Sequence, residues 1–215
     1  MSNHWTEAVI VLLVLTSFKL LGSSRLGACI RAVAVQGIAL GALTLLAHVE
    51  ALSVRSVALA VVSMALKGAV FPWLMFRALR EAGVRREVEP FVGYTTSLVI
   101  GAATLGMSFW IGSRLPLPVV TFSSLAIPAA LFTVLMGLFV IVSRRVAINQ
   151  VLGYLVLENG VFAFGLALAQ VAPLWVELGI LLDVFVAVFV MGIAIFHISR
   201  EFDHIETDRL TNLKD

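Results

Sequence analysis

Three ionisable residues stand inside apolar runs of this chain: Lys67, Glu158 and Asp183. Glu158 occupies the middle of GYLVLENGVFAFG, Gly153 to Gly165, and no other charge falls within twelve residues on either side. A carboxylate at the centre of such a run costs about 3 kcal/mol or more if the surroundings are hydrocarbon, so residues of this kind mark proton or ion paths, or pair with an opposite charge. One lysine with two acids predicts a charge network. Desolvation penalises the charged form of a carboxyl group and a nearby cation favours it, so an acid between internal water and a movable lysine can load and release a proton. In this reading Glu158 is the main carrier, Asp183 the second stop and Lys67 the modulating charge.

Neighbouring residues extend the pattern. Gln150, Tyr154 and Glu158 are spaced i, i+4, i+8, which on a helix makes one polar stripe running from the Arg144-Arg145 end inward, with Asn159 beside it. Gly153, Gly160 and Gly165 are small residues that permit close helix approach or local distortion. Near Lys67, Pro72 lacks an N–H and its ring crowds the carbonyl of Gly68, so a break or kink is expected there. Broken backbone at that depth is tolerated only where protein or water satisfies it.

The elements that must position these groups follow from composition. Of 215 residues 60% are hydrophobic and 13% charged, and the mean hydropathy is +1.05, as in an integral membrane protein. About 20 apolar residues are needed to cross the hydrocarbon of a bilayer. Seven runs qualify, at roughly Trp5–Leu21, Leu26–Ala47, Ser56–Phe76, Phe91–Ile111, Val119–Val142, Val146–Ala169 and Leu174–Phe196. The expected fold is an all-α, polytopic bundle of seven transmembrane helices in a single membrane domain, 1–215. The leader before the first run has no basic residue and no small-x-small cleavage site follows it, so the first run is read as a retained helix.

Orientation follows from the basic residues. With the N-terminus outside, twelve of the 15 fall on the inner side: Lys19, Arg25 and Arg31 near the first connection, four in the run Arg77 to Arg86, the pair Arg144-Arg145, and three from Arg200 on. Arg55 and Arg114 remain outside, and Lys67 is left within the third run. Such asymmetry places the C-terminal tail, 201–215, in the cytoplasm. At about 1.5 Å per residue, Lys67 is some 15 to 18 Å from Arg55 and Arg77, too deep to reach an interface easily. Glu158 and Asp183 count to within a turn or two of that depth.

Simpler readings compete. Lys67 and one acid can form a structural ion pair that locks the bundle, and Asp183 alone can be structural. Glu177 belongs to the first turn of the last helix, where the helix dipole favours an acid. Gly37-Ile-Ala-Leu-Gly41 reads as a packing notch, and the arginine run 77–86 as a topogenic loop before a docking patch. Cys29 is the one cysteine, which excludes an intrachain disulfide and an iron–sulfur cluster. His48 and His197 fall at opposite ends of the bundle, so they cannot share a haem. No nucleotide-binding or H-E-x-x-H motif is present. A retinal protein would need a lysine in the final run, which has none. A free-standing transporter would show an internal repeat, and none is evident.

The segments GYLVLENGVFAFGLALAQ and PLWVELGILLDVFVAVFVM, with the tail ETDRLTNLKD, resemble the E-type membrane subunits of hydrogenase-4, the family of small membrane components of formate hydrogenlyase-type complexes. The likeness is strongest from Ala147 to Asp215. The first five helices agree in number and in the Lys67…Pro72 pairing. The last three helices are also similar to the K-type subunit of respiratory complex I and to the C subunit of multisubunit cation/proton antiporters. The resemblance implies an accessory part, helices one to four (about 5–111), and a K-type-like core, helices five to seven (about 119–200). It implies a non-redox subunit without a cofactor or metal of its own, not an enzyme by itself. Its expected place is the cytoplasmic membrane of a prokaryote, between quinone-pocket-type and antiporter-like membrane subunits. Peripheral hydrogenase and iron–sulfur subunits complete the assembly, and nucleic acid has no part in it. It implies lateral proton transfer through intramembrane carboxylates, Glu158 matching the first by its place in the motif and Asp183 falling where the second is expected. This chain differs in having an aspartate there, and in a longer gap between the basic pair and the first acid. A purely structural subunit of the same complex, or an antiporter C-like component, is the alternative.

Overall fold

The computed structural model describes residues 2–47, 54–81, 90–115 and 123–168, all of them helical apart from short connections. Helix α1 spans Ser2–Gly22 and α2 Leu26–Ala47. A long rod follows, made of α3 (Val54–Ala65), a π-helical turn (Leu66–Val70) and α4 (Phe71–Glu81). Then come α5 (Tyr94–Arg114), α6 (Ala126–Ser143) and α7 (Ala147–Ala167). Among the described residues six helices are long and apolar enough to cross a membrane, the rod counting as one of them. The seventh expected helix, Asp183 within it, and the tail lie outside the described residues.

Boundaries differ from the hydropathy reading where local hydrogen bonding decides. Phe91 and Val92 were expected inside the fourth span, but their N–H groups donate to the Ser143 carbonyl at 3.1 and 3.4 Å, and α5 begins after Gly93. The fifth span begins at Ala126 because Ser123 ends the preceding connection: its carbonyl accepts from Ala126 N–H at 3.2 Å and its hydroxyl from Leu125 N–H at 3.2 Å. The rod runs on through Arg77 and Arg80 to Glu81, beyond the expected end at Phe76.

The break expected at Pro72 takes the form of the π turn. Proline cannot donate, and the N–H just before it, on Phe71, reaches back five residues to the carbonyl of Leu66. The wider turn absorbs the missing donor and carries Lys67 on its inner face.

Helix α2 is the hub, in contact with α1, α3, the π turn, α4 and α7, while α5 packs at the rim against α6 and α1. Gly37 and Gly41 form the expected notch: a Cβ on Gly37 would collide with Lys67, and one on Gly41 with Met64. Helices α6 and α7 make the tightest pair. Side chains at Gly137 or Gly160 would strike the facing backbone at Leu157 or Val134.

The buried apolar residues form two slabs. One gathers Leu20, Leu21, Leu26, Ile30, Phe71, Met75, Phe132, Leu152 and Leu155; the other gathers Ile10, Leu13, Leu40, Leu43, Ala130, Phe162 and Leu166. On three of the helices that enter both slabs, buried polar residues stand between them: Ser17 on α1, Gln36 on α2, Glu158 and Asn159 on α7. Lys67 of the π turn joins the same layer. The outer surface is apolar instead, with Val99, Met107, Phe109 and Trp110 of α5 exposed, the arrangement expected when the solvent is lipid.

Candidate functional site

Within that layer the Lys67 ammonium lies 3.0 Å from Glu158 Oε1, and both side chains are buried, at 6% and 7% exposure. Lys67 Nζ also donates to Asn159 Oδ1 at 3.2 Å, and stands 5.3 Å from the centre of the Phe162 ring, within cation–π range. Burying both charges is costly. Their attraction compensates only with good geometry and further hydrogen bonds, here supplied in part by Asn159.

The elements bring these groups together for separable reasons. Glu158 and Asn159 are adjacent on α7, so their side chains diverge to flank the facing rod. Gly37 on α2 removes the bulk that would block the backbone of Lys67. Within the π turn Lys67 is the buried residue.

Polar contacts continue beyond Asn159. Its Nδ2 donates to Gln36 Oε1 at 3.3 Å, and Gln36 Nε2 donates to Ser17 Oγ at 3.1 Å and to the Leu13 carbonyl at 3.2 Å. Neither Gln36 nor Ser17 stands out in the sequence. Both are uncharged residues inside apolar helices, and no spacing sets them apart. Depth was the available signal, since Ser17 and Gln36 stand between the same apolar blocks as Glu158.

A narrow crevice reaches Lys67 and Asn159 between α2, α4 and α7, walled also by Ile30, Val33, Phe71, Pro72, Met75, Leu152 and Leu155. It offers about 10 Å³ to the centre of a water-sized sphere, room for about one water molecule. Glu158 is not among its walls; the lysine and Asn159 are its polar groups.

The remaining expected residues are placed as follows. Tyr154 is half-buried on α7, one turn before Glu158. Gln150 is exposed and donates to the Arg144 carbonyl at 3.2 Å, tying the start of α7 to the end of α6. Gly68 packs its bare backbone on Ile38 of α2, and Pro72 borders the crevice. Among the described residues nothing lies within 4 Å of where a Cβ on Gly165 would sit.

Arg144 departs from its reading as a loop residue. It is 2% exposed, donates from Nη2 to the Leu21 carbonyl at 2.8 Å and lies over the Tyr94 ring at 4.6 Å, whereas Arg145 is exposed and lies over Phe91 at 4.7 Å. The ends of α1, α5 and α6 are thus held by one guanidinium. Among the described residues no group of His, Cys, Asp or Glu side chains is arranged to hold a metal ion.

The chain is 37% identical over 206 residues to the uncharacterized protein Rv0085 of Mycobacterium tuberculosis, covering 94% of this chain and 93% of that protein. It is 31% identical over 143 residues to hydrogenase-4 component E of Escherichia coli, and equally to that of Shigella flexneri. The chain belongs to a hydrogenase-4-related family. The match to component E covers 66% of each protein, so the chain spans about two thirds of the length of those relatives. No family model and no solved structure matches the chain.

Proposed function

We propose that this chain is a non-redox membrane subunit of a hydrogenase-type complex that relays protons across or along the bilayer through Glu158. The observation that carries the reading is the buried Lys67–Glu158 pair, 3.0 Å apart at the level between two apolar slabs, with a water-sized crevice reaching the lysine. A charge pair in that position has a route for hydration on one side and a carboxylate on the other. A proton arriving by the crevice side changes the charge of the pair, and Glu158 is the group that binds and releases it. Asp183 is the second acid of the relay, and Tyr154 the polar neighbour toward the α6–α7 connection.

Moving one charge across 100 mV costs about 2.3 kcal/mol, which in this reading a non-redox subunit does not supply. The driving reaction therefore belongs to partners. The likeness to hydrogenase-4 component E supports membership of a multisubunit hydrogenase complex; the proposal places it in a prokaryotic cytoplasmic membrane, with quinone-pocket-type and antiporter-like subunits as neighbours and peripheral iron–sulfur subunits carrying electrons. A K-type-like or antiporter C-like place for the subunit would use the same lateral relay.

The test is Glu158→Gln in the assembled complex, in sealed membrane vesicles. Proton translocation is expected to vanish or fall sharply while the complex stays intact; pumping at wild-type stoichiometry would sink the carrier role. A second reading, an assembly subunit without proton traffic, is favoured by one observation: polar contacts from Lys67 through Asn159 and Gln36 tie the rod, α7, α2 and α1 together. A scaffold tolerates the isosteric neutral side chain, so the same substitution separates the two.

A further inference from the structure

The contacts beyond Lys67 have a direction. Lysine has donors only, so the Asn159 atom facing Nζ must be its carbonyl oxygen, Oδ1. At the far end the Leu13 backbone carbonyl accepts only, so the Gln36 atom facing it must be the amide nitrogen, Nε2. Between these two ends the side-chain amides can join in one way, Asn159 Nδ2 donating to Gln36 Oε1, which is the contact observed. Ser17 agrees with the sense of the chain, its hydroxyl donating to the Leu13 carbonyl at 3.0 Å while accepting from Gln36. Every donor therefore points from Lys67 toward α1.

We infer that Gln36 is a positioning residue for the buried charge pair: by accepting from Asn159 Nδ2 it keeps Asn159 Oδ1 turned to the Lys67 ammonium. Without that acceptor the Asn159 amide is free to turn, and turned it would present a donor to a cation. Bonds in a run of this kind polarise one another, so the fixed Leu13 carbonyl strengthens the hold on the charge at the opposite end. The run has no titratable member besides the lysine, and amides do not exchange protons readily. It holds the lysine in place rather than serving as a path for protons. Its significance for transport rests on the relay reading above, whereas its geometry does not.

The experiment reads the lysine at rest. The chain has three lysines, Lys19, Lys67 and Lys214, so in protein labelled with ¹⁵N-lysine and reconstituted in lipid bilayers the Lys67 Nζ resonance is the one that Lys67→Met removes. Gln36→Leu is expected to displace that resonance in the direction that Asn159→Leu does. In the double variant the displacement is expected to be no larger than with Asn159→Leu alone, because the glutamine acts through the asparagine. A Lys67 resonance left at its wild-type position by Gln36→Leu, or displacements that add in the double variant, would overturn the assignment. Packing alone gives additive or absent effects. Should Gln36→Leu fail to accumulate, Gln36→Met keeps the length without the amide and is read by the same criteria. Because no turnover is involved, failure here is distinct from failure of the relay, which the translocation assay with Glu158→Gln decides.

Discussion

At the scale of the residue, the pair Lys67 and Glu158 is a stability problem before it is a mechanism. Removing one partner of a buried pair strands the other charge and typically costs about 3–5 kcal/mol, while replacing both with neutral groups of similar size is often neutral or better. Lys67→Met is therefore expected to lower the apparent stability of the purified protein by about that amount, and Lys67→Met with Glu158→Gln to recover most of the loss. Thermal unfolding in a mild detergent measures both, and a double variant as weak as the single one would mean that the two charges do not act on each other. Both residues were legible in the sequence because a charge inside an apolar run is conspicuous. Gln36 and Ser17 were not, since small and neutral polar groups enter such helices at little cost and carry no mark of burial. Arg144 and Arg145 are adjacent and chemically identical, yet one is buried against Leu21 and Tyr94 and the other exposed. That difference follows from which neighbouring elements each side chain meets, which no local pattern encodes.

At the scale of the element, what brings the site together is mostly absence of bulk. Gly37 admits the π turn, and Gly137, Gly153 and Gly160 let α6 and α7 meet backbone to backbone. The glycines around Glu158 were legible as candidates for close approach, but the sequence could not rank them. The structure does: a Cβ on Gly160 meets Val134 and Ala130, whereas one on Gly165 meets nothing within 4 Å among the described residues. Gly160→Ala is expected to destabilise by about 1–3 kcal/mol through overpacking. Gly165→Ala is expected to be neutral or to stabilise by up to about 1 kcal/mol, because alanine is the better helix former. Melting curves of the two variants, compared with the parent, check the ranking. The π turn was foreshadowed by Pro72 only as a break. Which of the possible distortions forms depends on the fit of Lys67 and Gly68 against α2, a tertiary matter.

At the scale of the whole molecule, the described helices alternate an inner polar layer with an apolar exterior, the inverse of a water-soluble bundle. Six spans were legible from hydropathy, and the starts of two of them are set by hydrogen bonds that hydropathy does not see, from Phe91 and Val92 N–H to Ser143 and from Leu125 and Ala126 N–H to Ser123. In the orientation that the charge asymmetry predicts, the Arg145 end faces the cytoplasm and Arg114 the outside. In a Cys29→Ala background, a cysteine at position 145 is then expected to react with an impermeant maleimide only in inside-out vesicles, and one at position 114 only in right-side-out cells. The reverse labelling would invert the proposed orientation. The order of the layer along the chain bears on how the protein is made. Lys67 finds Glu158 and Asn159 only on α7, the latter 92 residues further along the chain, and Leu21 receives its guanidinium 123 residues later. Synthesis proceeds from the N-terminus, so the third span leaves the ribosome before Glu158, the carboxylate that pairs with its lysine, has been made, and a cation at mid-helix costs about 2.5–3.5 kcal/mol on insertion. Nascent chains halted before α7 should accordingly leave that span reluctant to partition into lipid, held instead by the insertion machinery until its counter-ion arrives.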